Sequence, residues 1–225
     1  MLAEDLLQLM IDDRAGTLFT DGTTIDYGLA GAVLVELSLA ERVQIGEGTR
    51  WHAAKVTVVD PSPTGDDVLD HALTEIAARP TSAQRVVVRL AKGLRQRLID
   101  RLVDHEVLRE ERGRTLGVFP RRRWPATDPR NEEALRRRLR EVLVDGATPD
   151  ARTAALIGVL SSMDQAHKVL VDLDKPARKQ VKQRAAAIAQ GDWASEAVRR
   201  AIRASQDATT AAIVAASVAA TTAST

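Results

Sequence analysis

Apolar residues recur along most of this chain with the period of a helix, and short alternating runs interrupt them in two places. Residues 2–11 read as a helix, and Asp12 to Gly16 turn the chain into a polar segment that ends near Tyr27. A core helix is predicted over residues 28–41. Its apolar positions at 29, 33 and 37 are joined by 32, 35, 39 and 40, which covers too much of the surface for one face to stay in water. Arg42 to Ile45 then alternates polar and apolar, Gly46 and Gly48 mark a turn, and Lys55 to Val59 returns as a second strand. Pro61 to Gly65 leads into another helix with Thr64 or Asp66 as its cap and Val68, Leu69, Ala72 and Leu73 as its apolar stripe.

The pattern repeats further on. One helix is predicted over residues 82–105, with Leu90, Leu94, Leu98 and Leu102 spaced by four and Ile99 and Val103 beside them. Residues 107–119 read as a hairpin around Gly113, so a helix followed by a hairpin occurs twice. A basic, proline-bounded connection covers 120–129. Helices are predicted over 131–144, 150–163, 165–172, 175–190, 193–204 and 206–221. The last lacks charge after Asp207, but its Ala, Ser and Thr are too weakly apolar for a membrane span, so it is expected to be buried in the protein. The expected fold class is mainly α, a single helical domain over residues 1–225 with two or more short β-hairpins.

Charge and composition narrow the chemistry. Thirty-two basic against 31 acidic residues leave a net charge of +1, so attraction to phosphates must come from local clusters. Aromatic residues make up 3% of the chain, too few for stacking platforms along single-stranded nucleic acid. The absence of cysteine removes disulfides and thiolate chemistry and fits a reducing cytoplasm. Acids near Met1 exclude an export signal there, and abundant Arg and Ala point to a bacterial source with a GC-rich genome. Histidines 52, 71, 105 and 167 stand singly, and no nucleophile elbow or dinucleotide loop is present. The acid pairs Asp12–Asp13 and Asp66–Asp67 read as helix caps rather than a metal site. No enzyme activity, cofactor or metal is therefore expected.

Basic clusters carry more information. Lys92 and Arg95, three apart on the predicted helix, share a face away from Leu94 and Leu98, with Arg89 one turn earlier. Such a face can clamp phosphate, because the planar Arg fork makes paired, charge-assisted bonds and Lys adds a point charge. Arg121, Arg122, Arg123 and Trp124 suit a membrane interface, or else a strand end with a packed Trp. Arg136 to Arg138 and Arg140 sit beside Glu132, Glu133 and Glu141 and read as salt bridges along one helix.

Four blocks in order carry a resemblance: Asp-Arg-x-Gly at 13–16, Gly-Leu-x-Gly-x-x-Leu-x-Glu-Leu at 28–37, Pro-Thr-Gly-Asp with Leu-Asp-x-Ala-Leu over 63–73, and the Arg-x-Arg-Leu run from Arg95 to Leu108. With their spacing kept, they resemble the Golgi phosphoprotein 3 family. The resemblance implies a mainly helical protein, peripheral on the cytoplasmic face of membranes, whose eukaryotic members recognise phosphatidylinositol 4-phosphate and retain glycosyltransferases through their cytosolic tails. It implies headgroup contacts at Lys92 and Arg95, with Arg97 in a smaller role because it points away from their shared face, and it places Arg14 where it can assist. The family's pocket tryptophan falls at or near Asp21 and a further arginine at Ala30. The basic arm that engages vesicle coat is not expected. The hairpin at 107–119, through Leu116, Val118 and Phe119, is the expected surface for self-association or lipid contact. Two other readings stand beside this one. A winged-helix DNA-binding protein is disfavoured by the near-zero net charge, so no nucleic acid is expected, and a protein scaffold without lipid binding is suggested by Asp21 and Ala30.

Overall fold

A helix apolar on all sides must be surrounded, and α2 (Gly22–Leu39) is. The computed structural model describes residues 1–12, 15–46, 55–115, 119–191 and 196–222. Among these, nine helices and two small antiparallel sheets are present, and α2 packs against α1 (Leu2–Met10), α4 (Ala83–Leu90), α5 (Leu94–Asp104), α7 (Ala151–Ser162) and α9 (Glu196–Thr222). Ile25, Leu29, Ala30, Ala32, Leu34 and Leu37 are all completely buried. Two glycines set the closeness of these contacts. A Cβ at Gly28 would collide with the Met163 side chain, and one at Gly31 with the Thr209 hydroxyl of α9.

The segment expected to be polar connection up to Tyr27 forms the first turns of α2. Asp21 caps it: its carboxylate accepts the Thr24 backbone N–H at 2.8 Å and the Thr24 hydroxyl at 2.6 Å. Polar residues are no obstacle in a first turn, where the backbone donors are otherwise unpaired. Helix α1 buries Leu2, Leu6, Leu7, Leu9 and Met10. Arg152 of α7 ties these elements together through Asp5 at 2.8 Å and Glu36 at 2.9 Å.

Strands β1 (Val43–Ile45) and β2 (Lys55–Val58) pair as expected, with Val43 opposite Val58 and Ile45 opposite Val56. A third, β3 (Thr81–Ser82), pairs with β2 and makes a three-stranded sheet, beyond the hairpin predicted. Helix α3 (Asp67–Ala78) contacts β2 and buries the expected stripe of Val68, Leu69, Ala72 and Leu73. Of its two candidate caps, Asp66 is the one used, accepting from the Val68 and Leu69 amides. Asp66 and Asp67 also grip Arg101, with Arg101–Asp66 at 2.6 Å, and Glu4 meets the same guanidinium at 2.8 Å. The acid pair is thus a structural anchor.

Four sequence-based expectations need correction. The helix expected over 82–105 is broken at Ala91–Gly93, where Gly93 takes φ +73°, a conformation that glycine adopts at little cost. The second hairpin does not turn at Gly113, which lies within β4 (Glu111–Thr115) opposite Arg121 of β5 (Phe119–Arg123). Residues 116–118, which include Leu116 and Val118, lie outside the described residues. Residues 120–123, expected as connection, are therefore strand, and a two-stranded ribbon accepts Pro120 because both of its strands are edges.

Residues 165–172 form turns rather than a helix, although Val169 and Leu170 are buried, and Asp164 and Asp172 flank them at φ +56° and +62°. Finally, the two helices expected at the C-terminal end are one, α9, since no Gly or Pro interrupts residues 196–222. It is buried along one stripe, through Ala208, Thr209 and Ala212, while Val214 and Val218 are 56% and 59% exposed. No helix among the described residues is long and apolar enough to cross a membrane. Helices α6 (Arg130–Leu143) and α8 (Lys175–Gln190) complete the set, and the expected bridge within α6 forms between Glu132 and Arg136.

Candidate functional site

The break between α4 and α5 decides where the candidate cations point. Lys92 lies in the break itself, exposed, and Arg95 is the second residue of α5, so the two do not share the continuous helical face expected from sequence. Arg95 reaches toward the start of α2. Its Nε lies 3.2 Å from Oδ1 of Asp26, with the two side chains 34% and 31% exposed. Its Nη1 would sit 2.9 Å from a Cβ at Gly22, so the guanidinium lies against the first turn of α2 where that residue has no side chain.

Two carboxylates share this corner and differ in character. Burial pushes the Asp26 carboxyl up, more than the attraction of Arg95 pulls it down, and repulsion from Asp21 adds to the rise. Asp21 moves the other way: burial raises it, but hydrogen bonds from the Thr24 hydroxyl and neighbouring amides outweigh that and hold it below the usual value. Asp21 is therefore a firmly ionised cap. Ala30 is fully buried inside α2 and presents no surface to a ligand.

Lys92 faces a different neighbourhood. It lines a small cleft, about 40 Å³, together with His71 and Glu75 of α3, Arg89 at the end of α4 and Arg97 of α5. Arg89 is fixed there, its Nε 3.3 Å from a Glu75 carboxylate oxygen and its Nη2 donating to the Glu75 carbonyl at 2.8 Å. From sequence, Arg97 takes a smaller role because it points away from the face expected for Lys92 and Arg95; in the structure it lines the same cleft as Lys92. Neither the role of Asp26 nor the cleft was foreseen, because both depend on how α2 and α3 lie against the break. The one local signal was Gly93, a residue that weakens a helix at that point.

The remaining candidates gather elsewhere. Arg14 lies outside the described residues, but its turn is visible on the far side: the Trp124 N–H donates to the Gly16 carbonyl at 2.7 Å, and a Cβ at Gly16 would be 3.1 Å from Arg123 Cβ and from Pro125. The turn thus abuts the end of β5. Arg122 is exposed and sits 3.5 Å from Glu110, and Arg123 is exposed. Arg121 is a strand residue whose side chain is outside what is described. Trp124 is half-buried and packed against the core, which is the packed strand-end alternative rather than a free interfacial ring. No metal-binding group of acids and histidines occurs among the described residues.

Comparison with known families adds to this geometry. The model of the family described as Golgi phosphoprotein 3 (GPP34) matches residues 2–205. This chain belongs to the Golgi phosphoprotein 3 family. The match begins with α1 and runs into α9, so every element around the α4–α5 break falls within the family's pattern. Vacuolar protein sorting-associated protein 74 of Eremothecium gossypii is 30% identical over 162 residues, which is 64% of this chain and 49% of that relative. The matched region is about half the length of that curated relative.

Proposed function

We propose that this member of the Golgi phosphoprotein 3 family is a peripheral membrane adaptor without catalytic activity, which recognises a phosphorylated or anionic lipid headgroup on the cytoplasmic face of a membrane. The observation that carries the reading is the family match over residues 2–205, within which Lys92 and Arg95 flank Gly93 at an exposed break between helices. Lys92 supplies a hydrated point charge and Arg95 a planar donor fork. The Arg122 and Arg123 end of β5 is a second basic surface for anionic lipid, with Arg121, Trp124 and Arg14 in or beside it by sequence. Cytosolic tails of membrane enzymes are the proposed clients, and the hairpin at 107–119 the proposed surface for self-association.

Liposome sedimentation tests the reading. Replacing Lys92 and Arg95 together by Glu is expected to abolish association with phosphatidylcholine vesicles carrying phosphatidylinositol 4-phosphate, and unchanged association would refute it. One observation favours a second reading, a protein scaffold without lipid recognition: Arg95 is already paired with Asp26. In that case the wild-type protein stays in the supernatant when the vesicles sediment, yet retains client tails in a pull-down.

A further inference from the structure

Helix α8 contains no acid, and its cations gather on one side. Lys175, Arg178, Lys179 and Lys182 stand at i, i+3, i+4 and i+7, all exposed, while Val181 and Ala185 are buried. The nearby acids are mostly spent: Asp164 holds Lys182 at 2.8 Å, and Asp174 caps α8 by accepting the Ala177 amide at 2.8 Å, which leaves Asp172. Lys175 and Lys179 form no ion pair among the described residues. Arg178 donates to the Leu173 carbonyl and Arg140 of α6 to the Val171 carbonyl, both at 3.0 Å, so the two guanidiniums are held in place without losing their charge. Lys175 lies in the first turn of α8 and Arg178 and Lys179 just beyond it, a placement that the helix dipole disfavours. Stability of the helix therefore does not account for them. The positive field reaches the half-buried His167, whose imidazole is held below its ordinary value by burial first and by Lys182, Lys168 and Arg178 as well, against the pull of Asp164.

The packing fixes which way this face looks. Around α2 the neighbours run α5, α1, α7, α9 and α4, each touching the next, so α5 lies across α2 from the α7–α9 pair. Helix α8 packs outside that pair, chiefly on α7. Three helix spacings, about 25 Å, then separate α8 from the α4–α5 break, and one flat membrane does not reach both.

We propose that the basic face of α8 is a docking surface for an acidic segment of a soluble protein, on the side of the molecule turned away from the membrane. The inference rests on the lipid reading for that orientation alone. No large apolar side chain of α8 is exposed, so the face offers charge and nothing to insert into lipid. Its four cations extend about 10 Å along the axis, the length of three or four consecutive extended residues, which suits a short run of Asp and Glu.

The test uses the full chain and a Lys175→Gln, Lys179→Gln double variant, both positions exposed and unpaired so that the fold is kept. Labelled octaglutamate is titrated at low ionic strength by fluorescence anisotropy, and sedimented with phosphatidylcholine vesicles carrying phosphatidylinositol 4-phosphate. Loss of two exposed charge contacts is expected to weaken octaglutamate binding about tenfold and to leave vesicle association unchanged. Lys92→Glu with Arg95→Glu should do the reverse. Vesicle-bound wild type should carry octaglutamate into the pellet, and the double variant should not. Wild type that ignores octaglutamate, or a double variant that binds it equally well, overturns the proposal. Loss of vesicle association in the double variant overturns it too, by making α8 a membrane contact, and so does tighter binding of duplex DNA through the same two lysines. Octaglutamate bound at this face by a protein that ignores the vesicles overturns the lipid reading and leaves the acidic docking surface standing.

Discussion

Arg95 has two claims on its guanidinium: the Asp26 carboxylate it already holds at 3.2 Å, and any anion that approaches the start of α2. A half-exposed ion pair is a weak bond in water, so Asp26 competes with such an anion without excluding it. Asp26→Asn keeps the shape and removes the charge. Severalfold tighter sedimentation with phosphatidylinositol 4-phosphate vesicles is the expected result, and a decrease would show that Arg95 needs Asp26 for its position. Arg101 presents the opposite case, a cation enclosed by Glu4, Asp66 and Asp67. Arg101→Ala removes the cation that faces the partly buried Asp66, whereas Glu4 keeps the Met1 ammonium at 2.6 Å, and should cost about 2 kcal/mol in urea unfolding at neutral pH. Burial raises the Asp66 carboxyl, but the bonds from Arg101 and the α3 amides outweigh it and leave it below its ordinary value of 3.8. A depressed folded-state value means that the unfolded chain binds the proton first. The stabilisation is thus complete above about pH 4 and is lost as pH falls through the folded value, and in Arg101→Ala this acid-dependent part should shrink.

The same logic applies to whole elements at the α4–α5 break. Leu90, Leu94, Leu98 and Leu102 are all buried, so apolar burial runs through the break and cannot have revealed it. What bends the chain is Gly93 at φ +73°, where an added Cβ would meet nothing within 4 Å. Gly93→Ala therefore carries a backbone cost alone, about 1 kcal/mol, which should lower the melting temperature of a chain of this size by about 3 °C. It should also weaken vesicle association by biasing the break toward continuous helix and turning Lys92 away. The contact between α2 and α9 rests on the reverse property, since a side chain at Gly31 collides with Thr209. Gly31→Val should cost about 2 kcal/mol through overpacking, read from the urea midpoint.

For the whole molecule, 32 basic and 31 acidic residues nearly cancel, and many of the cations described are already paired, among them Arg42, Arg89, Arg101, Arg136 and Arg152. Long-range attraction to a membrane is accordingly small, and the proposed binding depends on a few exposed groups. It should fall steeply with added salt, because exposed charges are screened over about 10 Å at 0.1 M ionic strength. Sedimentation across a salt series measures this, and salt-independent association would point to apolar insertion instead.

Periodicity and turn chemistry determined the helical class, the burial of α2 and the first hairpin, because each depends on neighbours in sequence, and four spaced motifs carried the family resemblance; the choice of Asp66 over Thr64 as cap came from the structure. Sequence also located Lys92 and Arg95, as residue types at a spacing. Tertiary structure decided what those residues face. Arg95 lies beside Asp26, 69 positions away in sequence, and Lys92 shares a cleft with His71 and Arg97 only because Gly93 swings α5 out of line with α4. Residues 165–172 were misread for a related reason: their apolar side chains are buried by the neighbouring packing without the backbone being helical. Burial is written into composition and spacing, whereas the partner of a charge depends on distances set by the packed helices.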